Sequence, residues 1–555
     1  MSIITLLLKY LEPRRIVFEA STEDPLKAQE KTLLKYLRRN KDTEYGRKYN
    51  FGAIRSIDDY RRLVPINTYE AIRPYVDKIA SGEQNILTKD KVEFFGATSG
   101  TTDKPKLIPT TGYSEKIKNA LLDLWSYYIS RDHPGVLDGK ILAIVSPETE
   151  GATEAGIPFG AESGYSYRAL PKLIIELYSL PYEVFEIENY EARHYTMLRI
   201  SIEQNITNIA TLNPNTIVLL MRKIEKWQDL IIDDISLGKL SEKFEISPEI
   251  RAILEKSFKP NSKKADELKK ILKDRGRLLP KDFWPNMELI ECWQGGMMKL
   301  YLKELEDYFG AIPKRDIGCV STEARSSIPI SDDTSSGVLA IRTNFYEFIP
   351  KEDITNKKKR TLLCNELEMG REYFIIVTTA GGLYRYNIDD IIKVTGFFKQ
   401  TPMIEFVQKG LGATSLAGEK LYESHVSEAM TKVLEKEKIR MVFFCAVAKP
   451  LEGPRYTFMV EFSDPQPADK DTIRILVSIE EALRKQNREY DYVRQAQLLD
   501  SPVMKILKPG SFEDYRARKT AKSAAGEGQF KAPELTADAD FENNFIIEKT
   551  VNLPR

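Results

Sequence analysis

The sequence predicts a mixed α/β protein in two parts, a large N-terminal body over residues 1–400 and a small α+β domain over 401–555. Three observations carry this. Leu26, Leu33, Leu34 and Leu37 recur at helical spacing among Lys, Arg and Glu, the pattern of an amphipathic helix in a largely helical first hundred residues. From about residue 286 short apolar runs punctuated by Pro and Gly take over, and Leu289–Cys292, Val338–Ile341 and Phe374–Thr378 read as strands. Beyond Thr401 a Gly-bearing connector leads to Met441–Val447 and Tyr456–Phe462, two strand-like runs flanking Glu452-Gly453-Pro454 as in a hairpin.

Asp24 is placed to cap the first of these helices, with Pro25 at its first position. Ile57–Val76 reads as short helices broken at Pro65 and Pro74. Ile141–Val145 reads as a buried strand that ends at Ser146-Pro147, and the glycines at 151, 156, 160 and 164 mark a loop after it. Residues 195–280 are helix-rich and charged, and Lys263–Arg277 is a solvated helix face rather than a nucleic-acid patch. Asn356–Arg360 reads as an exposed basic turn. Thr472–Leu483 has helical spacing, Leu498–Leu507 returns as a strand, and the tail after Thr520 reads as loop. No internal repeat is visible.

Composition narrows the function. The 555 residues carry 82 Lys+Arg against 82 Asp+Glu, a net charge of zero that argues against a nucleic-acid binder. The four cysteines form no C-x-x-C pair, so neither a disulfide framework nor a zinc site is signalled, and a reducing, cytoplasmic setting is expected. No run approaches about 20 apolar residues, so no membrane span is expected. The three histidines, His133, His194 and His425, lack a catalytic context, which leaves carboxylates, lysines, hydroxyls and backbone amides to carry any chemistry.

The strongest local signal is Thr98-Ser99-Gly100-Thr101-Thr102-Asp103-Lys104-Pro105-Lys106, four hydroxyls, a glycine and two lysines after the apolar stretch Val92–Phe95. Hydroxyls and exposed amides wrap a phosphate chain, and lysine adds a mobile cation. Composition alone leaves a polar surface turn equally open, and the Walker pattern is absent. Ser321-Thr322-Glu323 offers a hard carboxylate. Tyr384-Arg385-Tyr386-Asn387-Ile388-Asp389-Asp390-Ile391-Ile392-Lys393-Val394-Thr395-Gly396-Phe397 sets two acids between apolar runs.

Together these segments resemble the Gretchen Hagen acyl acid–amido synthetases of the adenylate-forming superfamily. The hydroxyl loop resembles that superfamily's phosphate loop, with Asp103 where a glycine is common. Ser321-Thr322-Glu323 resembles its Mg²⁺ motif, with Cys319 where an aromatic residue lies on adenine. The Tyr384–Phe397 segment resembles the family signature, with Asp389 in place of glycine. Cys292-Trp293-Gln294-Gly295-Gly296, Asn344–Pro350, Gly418-Glu419-Lys420-Leu421 and Gly528-Gln529-Phe530-Lys531-Ala532-Pro533 follow in the family's order.

The resemblance implies an N-terminal adenylation body with β-sheets and a β-barrel-like part flanked by helices, and a mobile C-terminal domain. It implies ATP and Mg²⁺, a small-molecule carboxylic acid and an amine or amino acid as partners, and an amide product formed through an acyl-adenylate. On this reading Thr98, Ser99, Gly100, Thr101 and Thr102 grip phosphates, and Gly295, Gly296, Ser321 and Thr322 border the nucleotide. Tyr384, Arg385 and Asp390 belong to the ribose motif, and Glu323 holds the metal. Lys531 acts at the α-phosphate, with Lys106 as a second lysine. A thioester-forming ligase shares the first half-reaction, and the departures at Asp103, Cys319 and Asp389 keep an inactive relative open. Oligomeric state leaves no trace in the sequence.

Overall fold

A computed structural model describes residues 3–98, 106–145, 149, 151–295, 298–354, 356, 360–410, 412–414, 416–417, 419, 421–450, 453–463, 466–495, 499–522 and 530–553. These fall into two compact units that divide between Phe406 and Val407. The division lies inside a strand, Thr401–Lys409, rather than ahead of it at Thr401.

Helix α1 (Pro25–Arg39) forms as its spacing predicts. Asp24 accepts from the Lys27 amide, Pro25 opens the helix, and Leu33 and Leu37 are buried. Helices α2 (Ile57–Leu63) and α3 (Tyr69–Ala80) are separated around Pro65 as expected. Pro74, however, lies inside α3 and does not break it. Burial of Ile72, Val76 and Ile79 on one face outweighs the single hydrogen bond that Pro74 cannot donate.

The first unit holds three sheets. Strands β1 (Val92–Thr98) and β2 (Lys106–Thr111) form an antiparallel hairpin, extended by β5 (Pro158–Gly160) and β4 (Gly151–Ala152) in the order β2-β1-β5-β4. Pro158–Gly160 was expected to be part of a turn. It is instead a strand, parallel to β1 through Phe95↔Phe159 and Gly96↔Gly160. Strands β3 (Lys140–Ala143), β6 (Ile206–Ala210), β7 (Leu289–Glu291) and β8 (Lys314–Arg315) make a parallel sheet in that order. Around it pack Ile217, Met221, Ile224 and Ile231 of α5 (Pro214–Leu237). Between β2 and β3 runs α4 (Gly112–Asp132), opened by a reciprocal Thr111–Ser114 cap.

The third sheet takes the place of the expected barrel-like part. Its six strands are β9 (Ser327–Ile328), β10 (Gly337–Leu339), β11 (Phe345–Pro350), β12 (Glu372–Thr378), β13 (Tyr386–Phe398) and β14 (Thr401–Lys409), ordered β11-β12-β13-β14-β10-β9. The basic turn at 356–360 lies largely outside the described residues. The solvated helix Ser262–Arg275 ends at Gly276, whose φ of +76° stops it.

The second unit is an α+β layer. Strands β15 (Ala413–Thr414) and β16 (Leu421–Tyr422) pair with each other and lead into helix α6 (Glu423–Glu437). Strands β17 (Met441–Lys449) and β18 (Arg455–Phe462) form the expected hairpin, helix α7 (Asp469–Gln486) covers 472–483, and β19 (Val503–Leu507) returns parallel to β18. The tail is not loop throughout: β20 (Leu535–Thr536) and β21 (Ile547–Asn552) complete the sheet β20-β17-β18-β19-β21. No described helix is long and apolar enough to cross a membrane.

Candidate active site

The parallel sheet sends β7 and β8 toward one edge, the carboxyl end where open α/β sheets bind ligands. After β7 the chain runs Cys292-Trp293-Gln294-Gly295, and after β8 it runs Asp316-Ile317-Gly318-Cys319. Asp316 ties the two together. Its carboxylate accepts from the amides of Gln294 and Gly318, both at 2.6 Å, while the Trp293 indole donates to the Gly318 carbonyl at 3.1 Å. Burial pushes the Asp316 carboxyl up to about 7, against the lowering effect of those two amides. A side chain at Gly295 would meet the Phe406 carbonyl at 3.3 Å, so a bare backbone edge is kept there. Gly296 lies outside the described residues.

From Cys319 the chain enters a tight turn. Val320 bridges Arg325, the Ser321 amide donates to the Ala324 carbonyl at 2.9 Å, and Thr322 and Glu323 occupy the tip. This turn packs on β1. A Cβ at Gly96 would lie 2.4 Å from Cγ2 of Thr322, so the glycine is what lets the turn approach the strand. Two residues beyond Gly96, β1 ends at Thr98 and the hydroxyl loop begins. Ser99, Gly100, Thr101 and Thr102 lie outside the described residues. Lys106 opens β2: it stands opposite Thr98 in the β1–β2 register, its ammonium 5.8 Å from the Tyr69 ring centre.

The third motif arrives on β13. Tyr386 is 2% exposed, and burial raises its hydroxyl, with Glu323 and Asp390 among the charges that raise it further. Asp390 also raises the Cys319 thiol. Glu323, Cys319, Tyr386 and Asp390 therefore share one neighbourhood, although they come from chain positions up to about seventy residues apart. Asp389 has φ +68°, the left-handed region that favours glycine, and its side chain is exposed while that of Asp390 is half-buried. Asp389 thus takes a bend that favours glycine, and both acids raise the Tyr386 hydroxyl.

Tyr384 and Arg385 are tied into the protein interior. Tyr384 is fully buried: its hydroxyl donates to the Leu87 carbonyl at 2.7 Å and accepts from Asn40 at 2.9 Å, and its ring stacks on Tyr45. Arg385, 6% exposed, donates through Nε and Nη2 to both oxygens of buried Glu347 at 2.8 Å, and through Nη1 to the carbonyls of Arg61 and Val64. Both residues were placed at the nucleotide from the signature. Their hydrogen-bonding groups are instead used within the core, so they brace the entry to β13.

Lys531 belongs to the second unit, exposed just ahead of β20. Its charge lowers the carboxyls of Glu423 and Glu534, which burial raises, and Glu423 accepts from the Glu534 amide at 2.8 Å. In the same unit Glu419 is fully buried and accepts from the amides of Leu416 and Ala417 at 2.8 Å and from the Tyr456 hydroxyl at 2.6 Å. Asp316, Glu347 and Glu419 were not singled out individually by sequence. Only their places beside or within motif segments pointed to them.

The GH3 family N-terminal domain matches residues 14–314, its central domain 337–409 and its C-terminal domain 424–540. The chain belongs to the GH3 family. Its homologues include the jasmonoyl–L-amino acid synthetase JAR4 of Nicotiana attenuata, 27% identical over 97% of this chain and 96% of the relative. Another is the indole-3-acetic acid-amido synthetase GH3.3 of Arabidopsis thaliana, 24% identical over 92% and 89%. The fold is that of the GH3.15 acyl acid amido synthetase, with a TM-score of 0.85 at 21% identity over 97% of this chain and 96% of that one. The amide-forming ligase class expected from the sequence is the class of these GH3 homologues.

Proposed function

We propose that this GH3 protein adenylates a small carboxylic acid with ATP and passes the acyl group to an amine, an amino acid being the first choice. The observation that carries this reading is the convergence of β1, the Thr322–Glu323 turn and Asp390 at the carboxyl end of the parallel sheet. A carboxylate resists nucleophiles because of its charge, and an adenylate gives it a leaving group. The task is to hold two anions together in line, which needs orientation and cations more than acid–base groups.

In this reading Thr98, Ser99, Gly100, Thr101 and Thr102 grip the phosphates, and Asp390 accepts from the ribose hydroxyls. Gly295, Gly296, Ser321 and Thr322 border the nucleotide, and Tyr384 and Arg385 position β13. Lys531 is assigned to the α-phosphate, with Lys106 as a second cation at the loop base. Glu323 suits Mg²⁺, being a hard carboxylate held at a turn tip. The described residues hold no cluster of three or more His, Cys, Asp or Glu side chains, and Mg²⁺ needs none because it keeps water and phosphate oxygens in its shell. When bound, the ion supplies neutralisation of phosphate charge. The segment 401–555 is assigned as the mobile domain that changes position between half-reactions. A cytoplasmic setting suits the free cysteines, Cys292, Cys364 and Cys445 buried and Cys319 half-buried.

The acids named for the relatives, jasmonate and indole-3-acetate, direct the first screen. Pyrophosphate release is measured across aryl, indolyl and fatty acids. At least one acid is expected to drive it, and Glu323→Gln and Lys531→Ala are each expected to cut it by about 10²-fold or more. Release with no acid in the panel would remove the reading.

A further inference from the structure

A second polar site lies in the first unit, at the entry to β13. It is a cavity of about 600 Å³ lined by Arg61, Ile66, Thr68, Arg360, Thr361, Arg385 and Asn387. The ring of Tyr386 belongs with Glu323 and Asp390, whereas its neighbours Arg385 and Asn387 line the cavity. Tyr386 and Asn387 are consecutive residues of β13, so their side chains leave opposite faces of the strand.

The charge balance of the cavity is positive. Arg61, Arg360 and Arg385 stand against the two carboxylates that pair with them, Glu347 and Glu366. Glu347, 1% exposed, is shared: it accepts from Arg385 at 2.8 Å on both oxygens, from Arg61 at 3.1 Å and from the Thr361 hydroxyl at 2.6 Å. One buried carboxylate therefore serves two guanidiniums. The pair between Arg360 and Glu366 is at the surface, with the Arg360 side chain 79% exposed, and neutralises little.

Donors also remain for a ligand. Arg61 uses Nε on Glu347 and Nη2 on the Thr361 carbonyl, and among the described residues Nη1 has no partner. Thr68 heads the twelve-residue helix α3 without capping it, so its hydroxyl stays available and the helix adds its positive end. Six of the seven described lining residues carry polar side chains, which suits a polar ligand.

We infer that this cavity binds a small oxyanion, held by Arg61 and Arg360 with the Thr68 hydroxyl. Guanidinium forks recognise carboxylate and phosphate in the same way. Two sources share that chemistry, the carboxylate of an amino acid and inorganic pyrophosphate. The inference concerns residues to which the proposed adenylation gives no ligand contact.

The test is calorimetric titration of the full chain with pyrophosphate and, separately, with aspartate. Wild type is compared with Arg360→Ala, with Thr68→Ala and with Asp390→Asn. Arg360 and Thr68 are exposed, and unfolding curves check that their variants retain the fold. One probe is expected to bind saturably, about tenfold more weakly in Arg360→Ala and Thr68→Ala and unchanged in Asp390→Asn, and to weaken with added salt. Aspartate alone points to an amino-acid carboxylate, and pyrophosphate alone to a phosphate. No saturable binding of either probe overturns the inference. So does equal binding by wild type and the two cavity variants, or loss confined to Asp390→Asn. The readout needs no turnover, so it stands or falls separately from the amido-synthetase reading.

Discussion

Replacing Gly96 with alanine probes the contact on which the candidate site rests. The new Cβ would sit 2.4 Å from Cγ2 of Thr322, well inside van der Waals contact, in a strand paired on both sides by β2 and β5. The strand cannot retreat without disturbing both partners, so the turn at 321–324 must shift. Overpacking of this kind costs about 1–3 kcal/mol. The functional cost is larger if Glu323 moves with the turn, since a displacement of about 1 Å in a positioned group costs on the order of 10²-fold in rate. Thr322→Ser removes only the clashing methyl and keeps the hydroxyl. Gly96→Ala should lower both the urea midpoint and acid-dependent pyrophosphate release, and Gly96→Ala/Thr322→Ser should recover most of both. The double-mutant cycle then reports the coupling directly. Wild-type stability and release in Gly96→Ala would refute the contact. A double variant no better than the single one would show that the defect arises elsewhere.

Further outcomes follow from the same geometry. Arg385→Gln leaves Glu347 buried without its bidentate partner and is expected to cost about 3–5 kcal/mol in urea unfolding, a loss that a merely surface pair would not give. Asp390→Asn should weaken ATP binding by calorimetry, whereas Asp389→Gly, at φ +68°, should leave it unchanged with stability within about 1 kcal/mol of wild type. Asp316 and Glu291 are raised by burial from 3.8 and 4.5 to about 7. Between those limits the folded state holds protons that the unfolded chain has released, so stability should fall as pH rises from about 4 to about 7. Asp316→Asn should flatten that slope in urea midpoints taken across the window, and an unchanged slope would remove Asp316 as a contributor.

Features that depend on near neighbours in the chain were legible in the sequence. The cap at Asp24, the period of α1, the hairpin β17–β18 and helix α7 each follow from residues within a turn or two. What depends on distant partners was not. Pro74 reads as a breaker until the burial of Ile72, Val76 and Ile79 is known. Strand β20 spans two residues and β21 is exposed at four of its six positions, so neither carries a periodic signal, and both exist because β17 and β19 offer open edges. The site divides in the same way. Glu323 and Asp390 were named from motifs, and both act on the Tyr386 hydroxyl. The same motif placed Tyr384 and Arg385 at the nucleotide because a signature records conservation of role, not whether the role is contact or bracing. Asp316 and Glu347 escaped because each also depends on a partner more than twenty residues away in sequence, Gln294 and Arg385.

The most direct test of the central claim is product analysis with the best acid, ATP and Mg²⁺, offered amino acids in one reaction and coenzyme A in another. Mass spectrometry is expected to show an amide and AMP in equal amounts with an amino acid, and no thioester. Formation of a thioester without amide, or no AMP in either reaction, would contradict the account.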